Sequence, residues 1–143
     1  MKTSARNSFN GAVLNVHHGA VNDEVEITLD NSSTRITAII TSTSTKTLGL
    51  APGKKVAAIF KAPWVILMTD TKGVKFSARN QFEGAVVSVK QGAVNSEVRV
   101  RLDGGEMITA IVTEDSAKEL ALEPGKKVTA LIKASHVIVG AYE

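Results

Sequence analysis

The chain has no cysteine. That excludes a disulfide framework, a thiolate metal centre and a cysteine nucleophile. Aromatic residues make up only 4% of its 143 residues, so a core must be built from Val, Ile, Leu and Ala. Single-strand nucleic-acid binders stack bases on exposed aromatic rings. Here Phe9, Phe60, Trp64, Phe76, Phe82 and Tyr142 are the whole supply, and several lie inside apolar strand patterns. No apolar run approaches the length of a membrane span. The opening MKTSARNSF turns polar at once and lacks the apolar stretch of a secretory signal. A cytoplasmic location, with no membrane partner, is therefore expected. Charge of one sign is also scarce: 17 Lys and Arg against 14 Asp and Glu give a net +3, which favours an anionic partner only mildly. There are three histidines, His17, His18 and His136. His17 and His18 are neighbours on a strand and point to opposite faces, so the two are not expected to grip one metal together.

What the chain does have is a repeat, the feature to be sought before others. Ser4–Asp30 matches Ser77–Asp103, and Thr37–Met68 matches Thr109–Gly140, with more than half of the aligned positions identical. The one-residue difference falls between the two matched stretches. This is a duplication, with units at residues 1–70 and 71–143 joined by the short polar stretch Thr69–Lys75. So short a joint predicts two closely packed copies.

Within one copy, Phe82–Lys90 is valine-rich and partly alternating, which predicts a strand. Glu97–Leu102 alternates strictly, with Val98, Val100 and Leu102 on one face. Asp103–Gly105 is a hairpin turn and Met107–Thr113 a third strand. Glu114–Leu122 carries acidic residues early and predicts a short helix. Pro124 and Gly125 force a turn. Val128–Ala134 and His136–Ala141 give the last strands. The first copy has the same order, with TSTSTKTLGL as its helix. Five short strands with one helix after the third is the order of an OB-type Greek-key barrel. The fold class is thus all-β, two tandem OB-like barrels, with a sandwich as the alternative.

Neither copy offers a paired acid and base, or a phosphate-cradling glycine loop of the Walker or Rossmann kind, so an enzyme is not expected. The polar residues that both copies hold are donors: Ser4 and Ser77, Arg6 and Arg79, Asn7 and Asn80, Thr41 and Thr113, Ser44 and Ser116, Lys61 and Lys133, the last pair followed by Ala62 and Ala134. A guanidinium fork, an ammonium, hydroxyls and a helix start without an opposing acid suit a small oxyanion. The same residues also fit a plain reading: Thr41 and Ser44 as helix caps, Arg6 and Lys61 as surface charges, Asn7 as a turn former. Spacing alone leaves both readings standing.

The phrases SARNxFxGxVxxVxxGAVNxEVxxxL, TAIxTxxSxxxLxL and PGKKVxAxxKAxxVI run through both copies. Together they resemble the Mop family of small molybdate-binding domains, and two in tandem resemble its molbindin type. KAPWV at Lys61–Val65 also resembles the effector domain of molybdate-responsive repressors, although the chain has no helix-turn-helix segment. The resemblance implies OB domains arranged about a three-fold axis, as a homotrimer for tandem members. It implies non-catalytic binding and storage of molybdate or tungstate at sites between neighbouring domains. Carried over, Ser4, Arg6, Asn7, Lys61 and the Ala62 N–H serve one site, reached by Thr41 and Ser44 from a neighbour. Ser77, Arg79, Asn80, Lys133, Ala134, Thr113 and Ser116 make the equivalent site. There KASHV replaces KAPWV, so Ser135 and His136 stand where Pro63 and Trp64 do, and Ser135 adds a donor. Further anions are implied on the three-fold axis at Gly19, Ala20, Val21 and Asn22, and at Gly92, Ala93, Val94 and Asn95. No direct ligands to a metal cation are expected. An OB-type nucleic-acid binder and a molybdate delivery or regulatory module are the alternatives.

Overall fold

The computed structural model describes residues 1–143. The first repeat forms β1 (Arg6–His17), β2 (Asn22–Leu29), β3 (Arg35–Thr41), α1 (Ser42–Leu48), β4 (Lys55–Lys61) and β5 (Ile66–Met68). The second forms β6 (Asn80–Gln91), β7 (Asn95–Leu102), β8 (Met107–Thr113), α2 (Glu114–Glu119), β9 (Lys127–Ile132) and β10 (Ile138–Ala141). The all-β class and the OB-like order follow the sequence pattern. Two details differ from it. The helix expected to reach Leu122 stops at Glu119, with Leu120 as its cap and Ala121 in a left-handed conformation at φ 51°. The strand expected from His136 begins at Ile138, because Ala134–His136 forms a 3₁₀ turn matching that at Ala62–Trp64.

The strands form two five-stranded sheets, β10-β4-β1-β2-β3 and β5-β9-β6-β7-β8. The closing strand of each sheet comes from the opposite repeat. Accordingly one compact unit comprises Asn7–Phe60 with Lys133–Glu143, and the other Met1–Arg6 with Lys61–Ile132. β10 joins β4 through Ile138–Ala141 against Ile59–Val56, and β5 joins β9 through Ile66–Met68 against Leu131–Thr129. The chain leaves one unit and enters the other at the Arg6–Asn7, Phe60–Lys61 and Ile132–Lys133 bonds, the last two just before the 3₁₀ turns.

Each unit is built on one long strand. β6 pairs with β9 along Asn80–Ala85 and with β7 along Gly84–Gln91, with a bulge between Val86 and Ser88. β1 has the matching bulge between Val13 and Asn15. A bulge bends the strand and raises its twist, which lets one strand serve two neighbours in a curled sheet. The alternating faces of β2 and β7 supply the cores: Val25, Ile27 and Leu29 in one unit, Val98, Val100 and Leu102 in the other. Each such side chain contributes roughly 1.5–3 kcal/mol on burial.

Phe60 is fully buried and stacks on Phe9 with ring centroids 6.0 Å apart; the second copy has Ile132 there. Phe60→Ala should cost about 3–5 kcal/mol of stability, the usual loss for an emptied aromatic site, and Phe60→Leu less. Urea unfolding that finds equal midpoints for wild type and Phe60→Ala would contradict this packing.

Candidate functional site

The donors named from sequence divide between the two units. Ser4, Arg6, Lys61 and Ala62 share a unit with Ser77, Arg79, Asn80, Thr113 and Ser116; Asn7, Thr41, Ser44, Lys133, Ala134 and Ser135 belong to the other. The turn Ala62–Trp64 packs against β8, which ends at Thr113, and the turn Ala134–His136 packs against β3, which ends at Thr41. So Lys61 and Ala62 lie by the strand that carries Thr113, and Lys133, Ala134 and Ser135 by the strand that carries Thr41.

Arg6 is exposed and has φ 73°, an uncommon left-handed conformation for a residue with a Cβ. Its Nη2 donates to Glu97 Oε1 at 2.6 Å, so the expectation of donors without an opposing acid fails at Arg6, and an anion there must share or displace that bond. That bond, helped by the charge of Arg6 and the more distant Lys90 and Arg99, holds the Glu97 carboxyl below its usual range despite partial burial. Lys61 is also exposed, with Nζ 5.8 Å from the Trp64 ring centroid, a cation–π contact. Lys133 has His136 in the corresponding place.

Asn7 and Asn80 are not turn residues. They are 1% and 2% exposed and lie at the starts of long strands, so their amides face the interior. Ser4, Ser77, Arg79 and Ser135 are exposed.

Thr41 and Thr113 cap the two helices in the same way. Each hydroxyl oxygen accepts from the backbone N–H of Ser44 or Ser116 at 3.1 Å and donates to that serine's Oγ at 2.8 Å. The capping part of the plain reading therefore holds, and it does not remove the hydroxyls from the exposed strand end. The helix starts differ in charge. α1 has no acidic residue in its first turn, while α2 has Glu114 and Asp115.

The GAVN stretches form the tips of the β1–β2 and β6–β7 hairpins. Val21 and Val94 stand 72% and 73% exposed. A Cβ on Gly19 would lie 2.2 Å from the Asn22 carbonyl oxygen, and one on Gly92 2.4 Å from that of Asn95, so only glycine fits. The Val21 and Val94 carbonyls accept the N–H of Ser42 and Glu114, both at 2.8 Å, which ties each tip to a helix start.

Sequence reading missed the residue that anchors the first tip. Asp23 is buried, accepts from the Gly19 N–H at 3.1 Å and the Ser42 hydroxyl at 2.8 Å, and lies 3.2 Å from His18 Nδ1. Its pKa is lowered to about 2, chiefly by a hydrogen bond from Thr45, then by Ser42, Gly19 and His18, against the opposing effect of burial. In the second copy the acid and the hydroxyl trade places: Ser96 stands for Asp23, Glu114 for Ser42, and the Ser96 hydroxyl donates to Glu114. The signal was present, since both pairs depart from the repeat in opposite senses.

The TOBE domain family matches residues 3–67 and 77–139. A solved structure of the cytoplasmic molybdate-binding protein ModG, with molybdate bound, superposes with a TM-score of 0.95 at 48% identity, covering 99% of this chain and 100% of that one. The molybdenum transport protein ModE of Azotobacter vinelandii is 44% identical over 142 residues, and the molybdenum-pterin-binding protein MopA of Rhodobacter capsulatus 43% identical over 139. Those alignments take in 99% and 97% of this chain and 52% of each relative. The chain thus spans about half the length of the curated relatives it matches.

A carboxyl held near pKa 2 in the fold and near 4 when unfolded adds stability that is complete above about pH 4 and lost as pH falls toward 2. Asp23→Asn should lower stability at pH 7 and flatten its fall between pH 4 and 2. Urea unfolding across that range checks the slope, and an unchanged slope would remove Asp23 from the account.

Proposed function

Because the chain belongs to the TOBE-domain family along both of its repeats, we propose that it binds molybdate, with tungstate as an analogue, and stores it in the cytoplasm without catalysis. The observation that carries this reading is the likeness, over the full length of both chains, to molybdate-bound ModG. The donor chemistry supports it. Ser4, Arg6, Lys61 and the Ala62 N–H serve one site, completed by Thr41 and Ser44 of a neighbouring copy. Ser77, Arg79, Lys133, Ala134, Ser135, Thr113 and Ser116 serve its counterpart. The assembly is a homotrimer, with further anions held by the GAVN tips on its axis. A delivery or regulatory module is the second reading, favoured by the matches to ModE proteins about twice as long.

Molybdate at neutral pH is a dianion without a proton, so a set of donors can satisfy all its oxygens. Phosphate carries an O–H, and burying it without an acceptor costs roughly 1–3 kcal/mol. Molybdate should therefore outcompete phosphate strongly. Sulfate shares the bare charge, and cavity size must reject it. Calorimetric competition in which phosphate displaces molybdate as readily as sulfate does would rule out a donor-only site.

Arg6→Ala together with Arg79→Ala should weaken molybdate binding by about tenfold or more per arginine, since a charged hydrogen bond contributes about 1.5–3 kcal/mol. Normal circular dichroism with unchanged affinity would refute the assignment. Native mass spectrometry with and without molybdate reads oligomer and stoichiometry together; a monomer at micromolar concentration in both would exclude the trimer.

A further inference from the structure

We propose that His17, Glu24 and Glu26 bind a divalent transition-metal ion of the Zn²⁺ type on the face of the β1–β2 hairpin, at a site separate from the oxyanion donors. The register puts them together. His17 pairs with Glu24 across the hairpin, and Glu26 follows two residues along β2, so all three side chains leave the same face of the sheet. One ligand atom from each lies within 4.8 Å of the other two.

The spacing suits coordination better than a hydrogen bond. His17 Nε2 and Glu26 Oε1 are 3.5 Å apart, beyond the usual N–H···O range of about 2.7–3.2 Å. Tetrahedral bonds of about 2.0–2.2 Å put neighbouring ligand atoms about 3.3–3.6 Å apart. Glu24 completes the set, with a carboxylate oxygen within 4.8 Å of both other ligand atoms. His17 is 60% exposed at its side chain, so an ion has direct access, and three protein ligands leave a position for water. An imidazole with two carboxylates favours Zn²⁺ and its neighbours over Mg²⁺ or Ca²⁺, which take oxygen ligands.

The second repeat supplies a contrast. There the same positions are Lys90, Glu97 and Arg99, with Lys90 paired to Glu97 in the same register. That copy carries its own cations around one carboxylate. The first copy has exchanged both cationic side chains, one for an imidazole and one for a second carboxylate. A cation bound by His17 of one strand and the two carboxylates of the other joins both strands of the hairpin.

The test uses the full chain, freed of metal by chelator and of molybdate by dialysis, at pH 7.5. Calorimetry with Zn²⁺ should find one strong ion per chain, and Co²⁺ should give a tetrahedral absorption band. His17→Ala with Glu26→Gln should abolish both signals and leave molybdate affinity unchanged, because neither residue belongs to the proposed anion sites. His18→Gln should keep them. Wild type that binds no Zn²⁺, or a double variant that binds as tightly as wild type, overturns the proposal. Circular dichroism of the double variant checks that a lost signal is not lost folding; if it fails to fold, His17→Gln alone takes its place and must show the same loss of Co²⁺ absorption.

Discussion

Neither repeat can finish its own sheet. β4 of the first needs β10 beside it, and β9 of the second needs β5, so the hydrogen-bonding edge that each repeat leaves open is filled by the last strand of the other. Unpaired strand edges are templates for association with further chains. Here the duplication supplies the matching strand within the same molecule. The crossing segments that make this exchange are Lys61–Val65 and Lys133–Val137, and the first repeat's SARN phrase is split by a third crossing at Arg6–Asn7. The polar residues of greatest chemical interest therefore sit where the exchange forces the backbone to turn, which explains how Lys61 stays exposed immediately before fully buried Ala62 and Val65.

Much of this was legible in the amino-acid pattern. The strict alternation of Glu97–Leu102 reports β7 because one face meets a core and the other meets water. The helix after the third strand is legible through its capping Thr and the acidic first turn of α2. The strand exchange was not legible, for a physical reason: β5 and β10 follow the same KAxxVI phrase, so either could satisfy either sheet on local grounds. What decides between them is the geometry of the whole chain. The 3₁₀ turns were also missed: the break between the last two strands was placed at Ser135 alone, whereas the turn takes Ala134–His136 and the strand starts at Ile138.

The candidate site was legible as residue types and less so as roles. Arg6 was visible as a donor, but Glu97 beside it looked like an ordinary solvent-facing strand position until the other repeat's chain end was brought against it. Asn7 looked like a turn former, and both it and Asn80 are interior. Asp23 was passed over, although it occupies the same alternating face of β2 as Val25, Ile27 and Leu29. An acid on a buried strand face must find donors, and the backbone N–H of Gly19 with the hydroxyls of Ser42 and Thr45 are those donors. The exchange of acid and hydroxyl in the second copy keeps the same tie between hairpin and helix with its charge moved across the bond.

The stretch Thr69–Lys75 takes no part in either sheet. Its covalent continuity therefore does not define the architecture; it sets the concentration at which one repeat meets the other. A short tether holds its ends at an effective concentration in about the millimolar range, far above that of free chains in a dilute solution. Cleaved there, the protein would keep every strand pairing it has, and what had been a folding equilibrium of one molecule would become a binding equilibrium of two.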